Sequence, residues 1–320
     1  MPIVSVVVPN YNHAPFLARR LDSVLGQTLR DIEVLVLDDA STDDSLEVIA
    51  RRSPDPRLRV VSSAVNSGSP FVQWNRGVAA TTAPLVWIAE SDDDADPRLL
   101  ETLVDRLDRH PTCGVAFAQS LCIDANDRVT GTQTQWTDSI DRTHWLSDYV
   151  DDGRAECAHL LAVTNTIPNA SAVVFRRAVY ADVGGAPESM RLAGDWMTWL
   201  RMLLVSDVAF VAEPLNRHRS HDTTVRVAWA GDARWWRETL EVWRFAEAAL
   251  ELPRATRTRI VDILREVMAR LLPRAVAHRR LLADLHAFGR HLDPGLSRSL
   301  VRLVATRAYG RIAGRVRRQG

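Results

Sequence analysis

The sequence predicts an α/β protein with a mostly parallel sheet, helices on both faces of the sheet, and a C-terminal helical segment. Three observations support this prediction. Short continuous runs of aliphatic residues recur through the first 120 residues, as in strands that are buried on both faces. A stretch with helical spacing of apolar residues follows each run, which favours parallel strands joined by crossover helices. From about Trp235 onward the apolar spacing is helical throughout.

The elements of the first half can be placed in order along the chain. The first helix opens around Pro15, because proline suits the first turn of a helix, and it ends at Gly26. The sequence STDD at residues 41–44 is typical of a capping box, so a second helix begins there. Strands are predicted at residues 3–8, 33–37, 58–61, 85–89 and 114–118, and further helices at residues 71–80 and 97–110.

The chain becomes less regular between residues 120 and 230. One more strand is predicted at residues 171–175, and one more helix at residues 195–205. The helical pattern that follows is broken by prolines at positions 253, 273 and 294. We therefore expect two domains, residues 1–229 and 230–320, with their boundary near residues 229–231.

The composition excludes several classes of protein. The chain has 320 residues, of which 46% are hydrophobic and 25% are charged, as in ordinary globular proteins. No apolar run approaches the roughly 18–20 residues that span a bilayer, and no secretory signal is recognisable at the N-terminus. Cys113, Cys122 and Cys157 are too few and too scattered for a disulfide framework or a zinc site. We therefore expect a cytoplasmic protein.

The C-terminal helices carry a strong positive charge, although the net charge of the whole chain is zero. From Arg254 onward there are 16 arginines and four acidic residues, and the chain contains no lysine. Apolar residues lie at helical spacing among arginines in the last segment, namely Val301, Val304, Ala308 and Ile312 among Arg302, Arg307, Arg311 and Arg315. A basic helix of this kind can contact the inner face of an anionic membrane. A helical cap on the catalytic domain and an oligomer contact are the alternatives, and no motif indicates nucleic-acid binding.

Polar residues follow each predicted strand of the first half. The sequence PNYN follows the first strand, DDAS the second, NSG the third and ESDDD the fourth. Ligands bind outside the carboxyl ends of strands in open parallel sheets, so these residues are the candidates for a site. A cluster of carboxylates suits Mg²⁺ or Mn²⁺, ions that usually keep nucleotide phosphates as further ligands. A solvated loop that caps the next helix is the alternative for the acidic run.

Seven motifs in this order resemble the family 2 glycosyltransferases, which are inverting enzymes of the GT-A fold. They are VSVVVPNYN, LDDASTDDS, NSG, ESDDDADPRLL, PNASAVVFRR, GDWMTWLR and PLNRHRSH, and together they cover roughly residues 2–228. The resemblance implies a Rossmann-like GT-A domain with a nucleotide-sugar half at residues 1–120 and an acceptor half at residues 121–229. It also implies transfer of a sugar from a nucleotide-diphospho-sugar to an acceptor hydroxyl.

The resemblance assigns the donor site to the first half of the chain. Tyr11 would stack on the base, and Asp39 would accept a hydrogen bond from the ring NH of the base. Asp92 and Asp93 match the DxD region, with Asp93 the better candidate for direct coordination of Mn²⁺ or Mg²⁺ and Asp92 directed towards the ribose or a metal-bound water. The family often has Asp at the position of Glu90. The remaining predicted nucleotide contacts are Pro9, Asn12 and Asn66.

The resemblance assigns catalysis to the second half of the chain. Asp195 matches the general base, although the usual Glu-Asp pair is Gly194-Asp195 here. The alternative for Asp195 is a helix N-cap, and both roles can hold together. His221 matches a histidine that closes over the diphosphate or metal, and His218 is its nearest competitor. Candidates for diphosphate or acceptor contacts are Arg201, Arg219, Trp196 and Trp199, the two tryptophans being equally suited to a core position.

The function expected from these residues is metal-dependent inverting transfer, with a UDP-sugar favoured and polysaccharide or glycoconjugate synthesis as the setting. A lipid-linked acceptor would suit peripheral contact with the membrane. Two competing functions remain on the same fold. A sugar-nucleotide nucleotidyltransferase should have a Gly-rich basic loop after the first strand, where this chain has PNYNH. A non-catalytic binding relative should lack Asp93 or Asp195, and both are present.

Overall fold

The computed structural model describes residues 1–221 and 233–316, with side chains of the last helix as far as Thr306. It divides into two compact units. The first unit comprises Met1–Cys157 and Asn165–Ala230, and the second comprises Ala158–Thr164 and Gly231–Gly320. The domain boundary predicted near residues 229–231 lies outside the described residues.

The first unit is built on one ten-stranded sheet. Its strands are β1 Val4–Asn10, β2 Ile32–Asp38, β3 Leu58–Ser62, β4 Leu85–Ile88, β5 Asp94–Ala95, β6 Cys113–Ile123, β7 Val129–Thr132, β8 Tyr149–Asp151, β9 Val173–Arg176 and β10 Asp207–Arg219. The order is β3-β2-β1-β4-β9-β6-β10-β5, with β7 on β6 and β8 on β10. Strands β3, β2, β1 and β4 are parallel, as are β6 and β10, whereas β9 runs antiparallel between β4 and β6.

Helices cover the sheet of the first unit. They are α1 Ala14–Leu25, α2 Ser45–Ala50, α3 Pro70–Ala79, α4 Leu99–Arg109, α5 Thr134–Thr137, α6 Gly153–Glu156, α7 Arg177–Asp182 and α8 Gly194–Leu203. The alternation of strands and helices through the first 123 residues confirms the predicted fold class, with the sheet more mixed than expected because of β9 and the short hairpin strands.

The first strand explains why the functional loops converge. All seven residues of β1 are buried, because helices and neighbouring strands cover both of its faces. Strand β1 pairs with β2 in an unbroken parallel register along its whole length, and the last pair is Asn10 with Asp38. On the other side Val7 pairs with Ile88, the last residue of β4. The residues that follow these three strands therefore emerge at one edge of the sheet, here called the carboxyl edge.

Strand β10 was not predicted from the sequence, although it is the longest strand of the structure. Its centre contains Glu213 and Pro214, and the register with β6 shifts on both sides of the proline. A proline cannot donate to the ladder and is confined to bulges and edges, which hid the strand pattern. At its far end β10 pairs with β5, where Arg217 lies opposite Asp94. This pairing brings residues 217–219 alongside the acidic loop.

The second unit is helical, with α9 Ala233–Ala249, α10 Arg254–Leu271, α11 Ala275–Leu292 and α12 Leu296–Val316. Its core includes Trp243 and Phe288, whose rings stack with centroids 6.4 Å apart. Within the described ranges, no helix has the length and apolar character needed to cross a bilayer. On α12, Leu300 is buried and Val301 is 68% exposed. The predicted basic face continues through residues 307–315, whose side chains lie outside the described part of the chain.

Candidate functional site

The loops after β1 and β2 are fastened together at the carboxyl edge. Asn10 Nδ2 donates to Asp38 Oδ1 at 2.9 Å and to Ser41 Oγ at 3.1 Å. Asn12 Oδ1 accepts from the backbone N–H of Thr42 at 2.7 Å, while Pro9 is buried within β1. Asn12 and Ala40 both have positive φ, 56° and 63°. Backbone strain of this kind is retained at binding sites more often than in scaffold turns.

Asp39 and Asn66 meet, as the predicted donor site requires, but the carboxylate is already engaged by protein donors. Asp39 is 5% exposed and accepts from Ser67 N at 2.9 Å, Ser67 Oγ at 2.6 Å and Gln73 Nε2 at 2.6 Å. Asn66 Nδ2 donates to the carbonyl oxygen of Asp39 at 3.1 Å. Tyr11 is 46% exposed on the preceding loop. The geometry therefore offers an open aromatic side chain and a nearly buried, well-oriented carboxylate.

His13, Asp92 and His221 form a cluster whose ligand atoms all lie within 4.8 Å of one another. His221 Nε2 lies 3.0 Å from Asp92 Oδ2, and His13 Nδ1 lies 2.7 Å from Ser91 Oγ. Burial raises the pKa of Asp92, but the hydrogen bond from His221 and the nearby His13 and His218 outweigh it and lower the pKa to about 2. The carboxylate is therefore ionised across the physiological range. One carboxylate and two imidazoles are a donor set that suits a divalent ion.

Asp93 follows Asp92 in the acidic loop, and its carboxylate is enclosed by protein groups. It is 2% exposed, and its Oδ1 accepts from the backbone N–H of Arg219 at 2.8 Å. Its Oδ2 accepts from Asn169 Nδ2 at 3.1 Å and lies 3.9 Å from the buried guanidinium of Arg20. Both oxygens are thus held by protein groups. Asp92 is the carboxylate placed with the histidines, and the direct coordination predicted for Asp93 stays a prediction.

Arg219 is buried, and its guanidinium is engaged by acceptors of the protein; its predicted contact with a diphosphate stays a prediction. It is 1% exposed, and its guanidinium donates to the carbonyl oxygens of Asp92 at 2.6 Å and Asp124 at 2.9 Å. The same group pairs with Asp127 at 2.7 Å and lies over the ring of Phe16. Because its donors are turned inward, Arg219 holds the acidic loop in place. The competitor of His221, His218, contacts Asn169 and lies 3.6 Å from Asp93 Oδ1.

Glu90 reaches away from the cluster, which explains the longer side chain at this position. Its Oε1 accepts from Trp74 Nε1 at 2.8 Å. Burial raises the pKa of Glu90 to about 8, the charge of Asp92 adds to the effect, and the N–H of Trp74 opposes it. At neutral pH most of this carboxyl is therefore protonated. The acidic loop carries less negative charge than its sequence suggests.

Asp195 lies in the first turn of α8, half-buried, with its carboxylate oriented from two sides. Asn165 Nδ2 donates to Asp195 Oδ2 at 2.9 Å, and the backbone N–H of Trp196 donates to Oδ1 at 2.7 Å. The unusual Gly194 has a steric reason, because a Cβ built there would lie 2.4 Å from the ring of Phe71. The aromatic ring thus occupies the space of the side chain that the family usually has at this position.

The two tryptophans beside Asp195 belong to the core and do not form a wall for an acceptor. Trp196 is 1% exposed and Trp199 is 0% exposed. The ring of Trp199 packs against Trp74 and Phe175, with both centroid distances 5.9 Å. Neither ring can present a face to a sugar in this structure. Arg201 lies half-buried in the last turn of the same helix.

Four residues of the site were missed by the sequence analysis. His13 and Arg20 lie two turns apart on α1, a spacing that places both on the face towards the strand ends and that was available in the sequence. Asn169 lies within the PNAS motif, but nothing marked its side chain as a contact of Asp93. Asn165 precedes that motif without any local signal. Asn165 and Asn169 belong to one loop, which links the orientation of Asp195 to that of Asp93.

An α/β sheet of this kind can carry different activities, and comparison with known proteins specifies the family. The chain belongs to Glycosyl transferase family 2, which it matches over residues 5–184. It is 35% identical over 129 residues to an uncharacterized glycosyltransferase of Nostoc sp., and this match covers 39% of each chain.

Two further relatives and two solved structures extend the comparison. An uncharacterized protein of Mycobacterium tuberculosis is 30% identical over 240 residues, 71% of this chain and 70% of its own. Chondroitin synthase of Escherichia coli is 26% identical over 145 residues, 42% of this chain and 20% of its own. S. aureus TarS 1–349 in complex with UDP has a TM-score of 0.63 at 16% identity, covering 94% and 92% of the two chains.

The second structure is the mannosyltransferase PcManGT of Pyrobaculum calidifontis in complex with GDP-Man and Mn²⁺. It has a TM-score of 0.57 at 19% identity, covering 96% of this chain and 84% of that one. Both structures share the fold with this chain. Their coverage includes nearly the whole of it, whereas the sequence matches to Nostoc and E. coli cover well under half of those relatives.

Proposed function

We propose that this glycosyltransferase is a metal-dependent, inverting enzyme that transfers a sugar from a nucleotide-diphospho-sugar to an acceptor hydroxyl. One observation carries the proposal. The cluster of His13, Asp92 and His221 lies next to Asp93, and the loop from Asn165 to Asn169 joins Asp93 to Asp195 by hydrogen bonds. A donor-binding group and a candidate base are therefore held in one continuous network.

The donor nucleotide binds at the ends of β1 and β2. The exposed ring of Tyr11 stacks on the base, and Asp39 accepts from its ring NH after the hydroxyl of Ser67 rotates away. A buried carboxylate selects a base that offers an NH, because a mismatch leaves polar groups unpaired. Uracil is the favoured base. Structures that share this fold bind UDP, UDP-GlcNAc and GDP-Man, which supports a nucleoside diphosphate donor in general.

A divalent ion, Mn²⁺ or Mg²⁺, fits the residues present. His13, Asp92 and His221 would hold it, and the ionised state of Asp92 together with the two imidazoles makes the donor set suitable. When bound, the ion would offset the negative charge of the diphosphate leaving group. Asp93 and Arg219 act indirectly, since they fix the loop on which Asp92 lies.

Asp195 acts as the general base. Its carboxylate takes the proton of the acceptor hydroxyl while that oxygen forms a bond to the anomeric carbon. The bond between the anomeric carbon and the phosphate oxygen breaks on the opposite face, so one displacement inverts the configuration. Asn165 and the N–H of Trp196 hold the carboxylate in one orientation, which preserves its direction during proton transfer. The acceptor therefore enters from the side of α8.

A thermal-shift panel tests the donor site. UDP, TDP, GDP and CDP are each added to the full chain with Mn²⁺ or with EDTA. At about 100 times its dissociation constant, a bound nucleotide should raise the free energy of unfolding by about 2.7 kcal/mol. We expect one nucleotide, UDP, to raise Tm only with the metal. Asp92→Asn should remove the metal-dependent part of the shift. Asp94→Asn is the matched control, because Asp94 pairs with Arg19 and Arg217 at 3.0 and 3.1 Å.

Two outcomes would contradict this donor site. A nucleotide shift of the same size in EDTA would remove the metal requirement. An equal loss in Asp92→Asn and Asp94→Asn would mean that the loop, and not the Asp92 cluster, supports the nucleotide.

The acceptor is a glycan or a lipid-linked glycan in polysaccharide or glycoconjugate synthesis, as the resemblance to a chondroitin synthase suggests. The arginine-rich C-terminal helices would hold the enzyme on the inner face of an anionic membrane. Sedimentation with anionic liposomes tests this contact. Full-length protein should sediment and a chain truncated after residue 290 should not, whereas equal sedimentation of the two would favour a helical cap or oligomer contact.

A further inference from the structure

A second group of potential metal ligands lies in the first unit, away from the donor site. It consists of His144, Asp151 and Glu156, whose ligand atoms all lie within 4.8 Å of one another. They come from three consecutive short elements, namely a single helical turn at His144–Leu146, strand β8 and helix α6. Strand β8 pairs with residues 208–210 at the start of β10. His218 is roughly 25 Å further along that strand, at about 3.3 Å per residue.

The carboxylate of Glu156 is the most unusual member of this group. Its side chain is 0% exposed, and its oxygens contact the hydroxyl of Tyr149 at 3.2 Å and Nε2 of His144 at 3.3 Å. Within the described ranges, His144 is the only ion-pair partner recorded for Glu156. A buried carboxylate is costly unless a cation or several donors compensate its charge. The buried carboxylate is therefore directed toward the imidazole of His144, close enough for both to share one ligand.

The geometry of the group suits a tetrahedral ion. Ligand bonds of about 2.1 Å place two ligand atoms about 3.4 Å apart, close to the 3.3 Å between His144 Nε2 and Glu156 Oε2. The imidazole is held in position by two rings, with centroids 4.9 Å away for Trp145 and 4.2 Å for Tyr149. A ligand atom of the half-buried Asp151 lies within 4.8 Å of both, and Oδ1 of this residue accepts from the backbone N–H of Asp152 at 2.9 Å.

We propose that His144, Asp151 and Glu156 bind a zinc ion, with solvent as the fourth ligand. One histidine and two carboxylates are ligands that zinc accepts, and zinc binds nitrogen and oxygen sites more tightly than Mn²⁺ does. The ion would supply positive charge beside the buried carboxylate of Glu156. It fastens residues 144–156 into one rigid segment against the start of β10.

This segment borders the proposed active centre. Trp145, adjacent to the zinc ligand His144, lines a cavity of about 20 Å³ together with Thr166 and Asn169. Asn169 is the residue that donates to Asp93. The zinc ion would therefore fix one wall of the space next to Asp93, as a structural ion separate from the catalytic one.

Zinc chloride alone is the probe. The full chain is stripped of metal with EDTA, which is then removed, and bound zinc and Tm are measured for wild type and variants. We expect Asp151→Asn and Glu156→Gln each to weaken the affinity for one zinc equivalent at least tenfold. At a zinc concentration that just saturates wild type, each variant should therefore bind one equivalent less. Asp92→Asn should lose a different equivalent, and the double variant Asp92→Asn/Asp151→Asn should lose both.

The variants separate the possible failures. Glu156→Gln keeps an acceptor for Tyr149 but alters a buried group, so the partly exposed Asp151→Asn decides if that variant does not fold. Unchanged zinc stoichiometry and an unchanged zinc-dependent rise in Tm for Asp151→Asn would overturn the proposal. If only Asp92→Asn loses zinc, the proposed donor metal site remains supported. His144, Tyr149 and Glu156 would then form a hydrogen-bonded group without metal.

Discussion

Carboxylates at the two ends of the sheet differ in how their negative charge is compensated. At the amino end, Glu33 Oε1 accepts from Ser5 Oγ at 2.7 Å and from the backbone N–H groups of Thr82 at 2.6 Å and Ala83 at 3.0 Å. Burial opposes ionisation, yet these donors hold the pKa of Glu33 below its ordinary value. Arg177 lies close by and donates to Ser5 Oγ at 2.9 Å. The carboxylate of Glu33 is therefore compensated by donors of the protein itself.

At the carboxyl edge the balance is incomplete. Asp92 is paired with His221 at 3.0 Å, and burial raises the pKa of the neighbouring Glu90 to about 8. Tyr11 is half exposed beside them, and Asn12 is held at positive φ. We therefore expect a cationic ligand to stabilise the carboxyl edge, whereas donors of the protein already compensate Glu33 at the amino end. The way in which each carboxylate is compensated thus distinguishes the candidate site at the carboxyl edge from the structural amino end.

The largest effect that would sharpen this comparison is expected from Asp195→Asn. The amide keeps the size and the hydrogen-bonding capacity of the side chain but cannot take a proton. Transfer should fall by at least a hundredfold, in keeping with the usual contribution of a general base. Affinity for UDP with Mn²⁺ should stay within a few-fold of wild type. Initial rates with a UDP-sugar and acceptor, together with nucleotide titrations, measure the two quantities.

Retention of most activity in Asp195→Asn would remove the base assignment. A parallel loss of nucleotide affinity would instead indicate that α8 has moved. Asn165→Ala provides a graded companion, because it removes only the donor that orients Asp195. A smaller fall in rate than for Asp195→Asn is expected, with the same nucleotide affinity.

A smaller effect should follow from Arg219→Gln, which breaks the support of the acidic loop. The change leaves the carbonyl oxygens of Asp92 and Asp124 without their donor. We expect the free energy of unfolding to fall by about 3 kcal/mol, as for other broken buried ion pairs. Arg217→Gln is the matched control on the same strand, where the side chain is 33% exposed and a loss below about 1 kcal/mol is expected. Urea denaturation of both variants measures the difference.

If Arg219→Gln unfolds like wild type but binds UDP more weakly, the predicted contact of Arg219 with the diphosphate would be supported. Equal destabilisation by the two variants would show that burial at position 219 has no special effect on the loop.

The sequence was sufficient wherever a site residue follows directly from local structure. The buried strand 4–10 and the acidic run after Ile88 are recognisable by pattern alone, and parallel strands bring their carboxyl ends together. Asp39, Asn66 and Asp92 were therefore placed at one edge without coordinates.

The sequence did not predict the orientation of side chains whose hydrogen-bond or packing partners lie far away in the chain. Asp93 and Arg219 are 126 residues apart, and their hydrogen bond exists only because β10 runs beside the acidic loop. Since Pro214 and its bulges concealed β10, the inward direction of Arg219 could not be foreseen. The same holds for Trp199, because a helical spacing of aromatic residues does not distinguish a core face from an open one.

The smallest predicted effect concerns the amino end, where Glu33→Gln should cost about 1 kcal/mol of stability at pH 7, because neutral hydrogen bonds replace charge-assisted ones. A pKa lowered in the folded state contributes stability that is present above the unfolded value, about 4.3, and is lost as pH falls through the folded value. The Tm difference between wild type and Glu33→Gln should therefore be largest near pH 7 and shrink between about pH 5 and pH 3.5. Thermal melts across this range in EDTA measure it. A difference that stays constant with pH would show that shape, and not charge, stabilises the amino end, and the contrast with the carboxyl edge would lose its electrostatic basis.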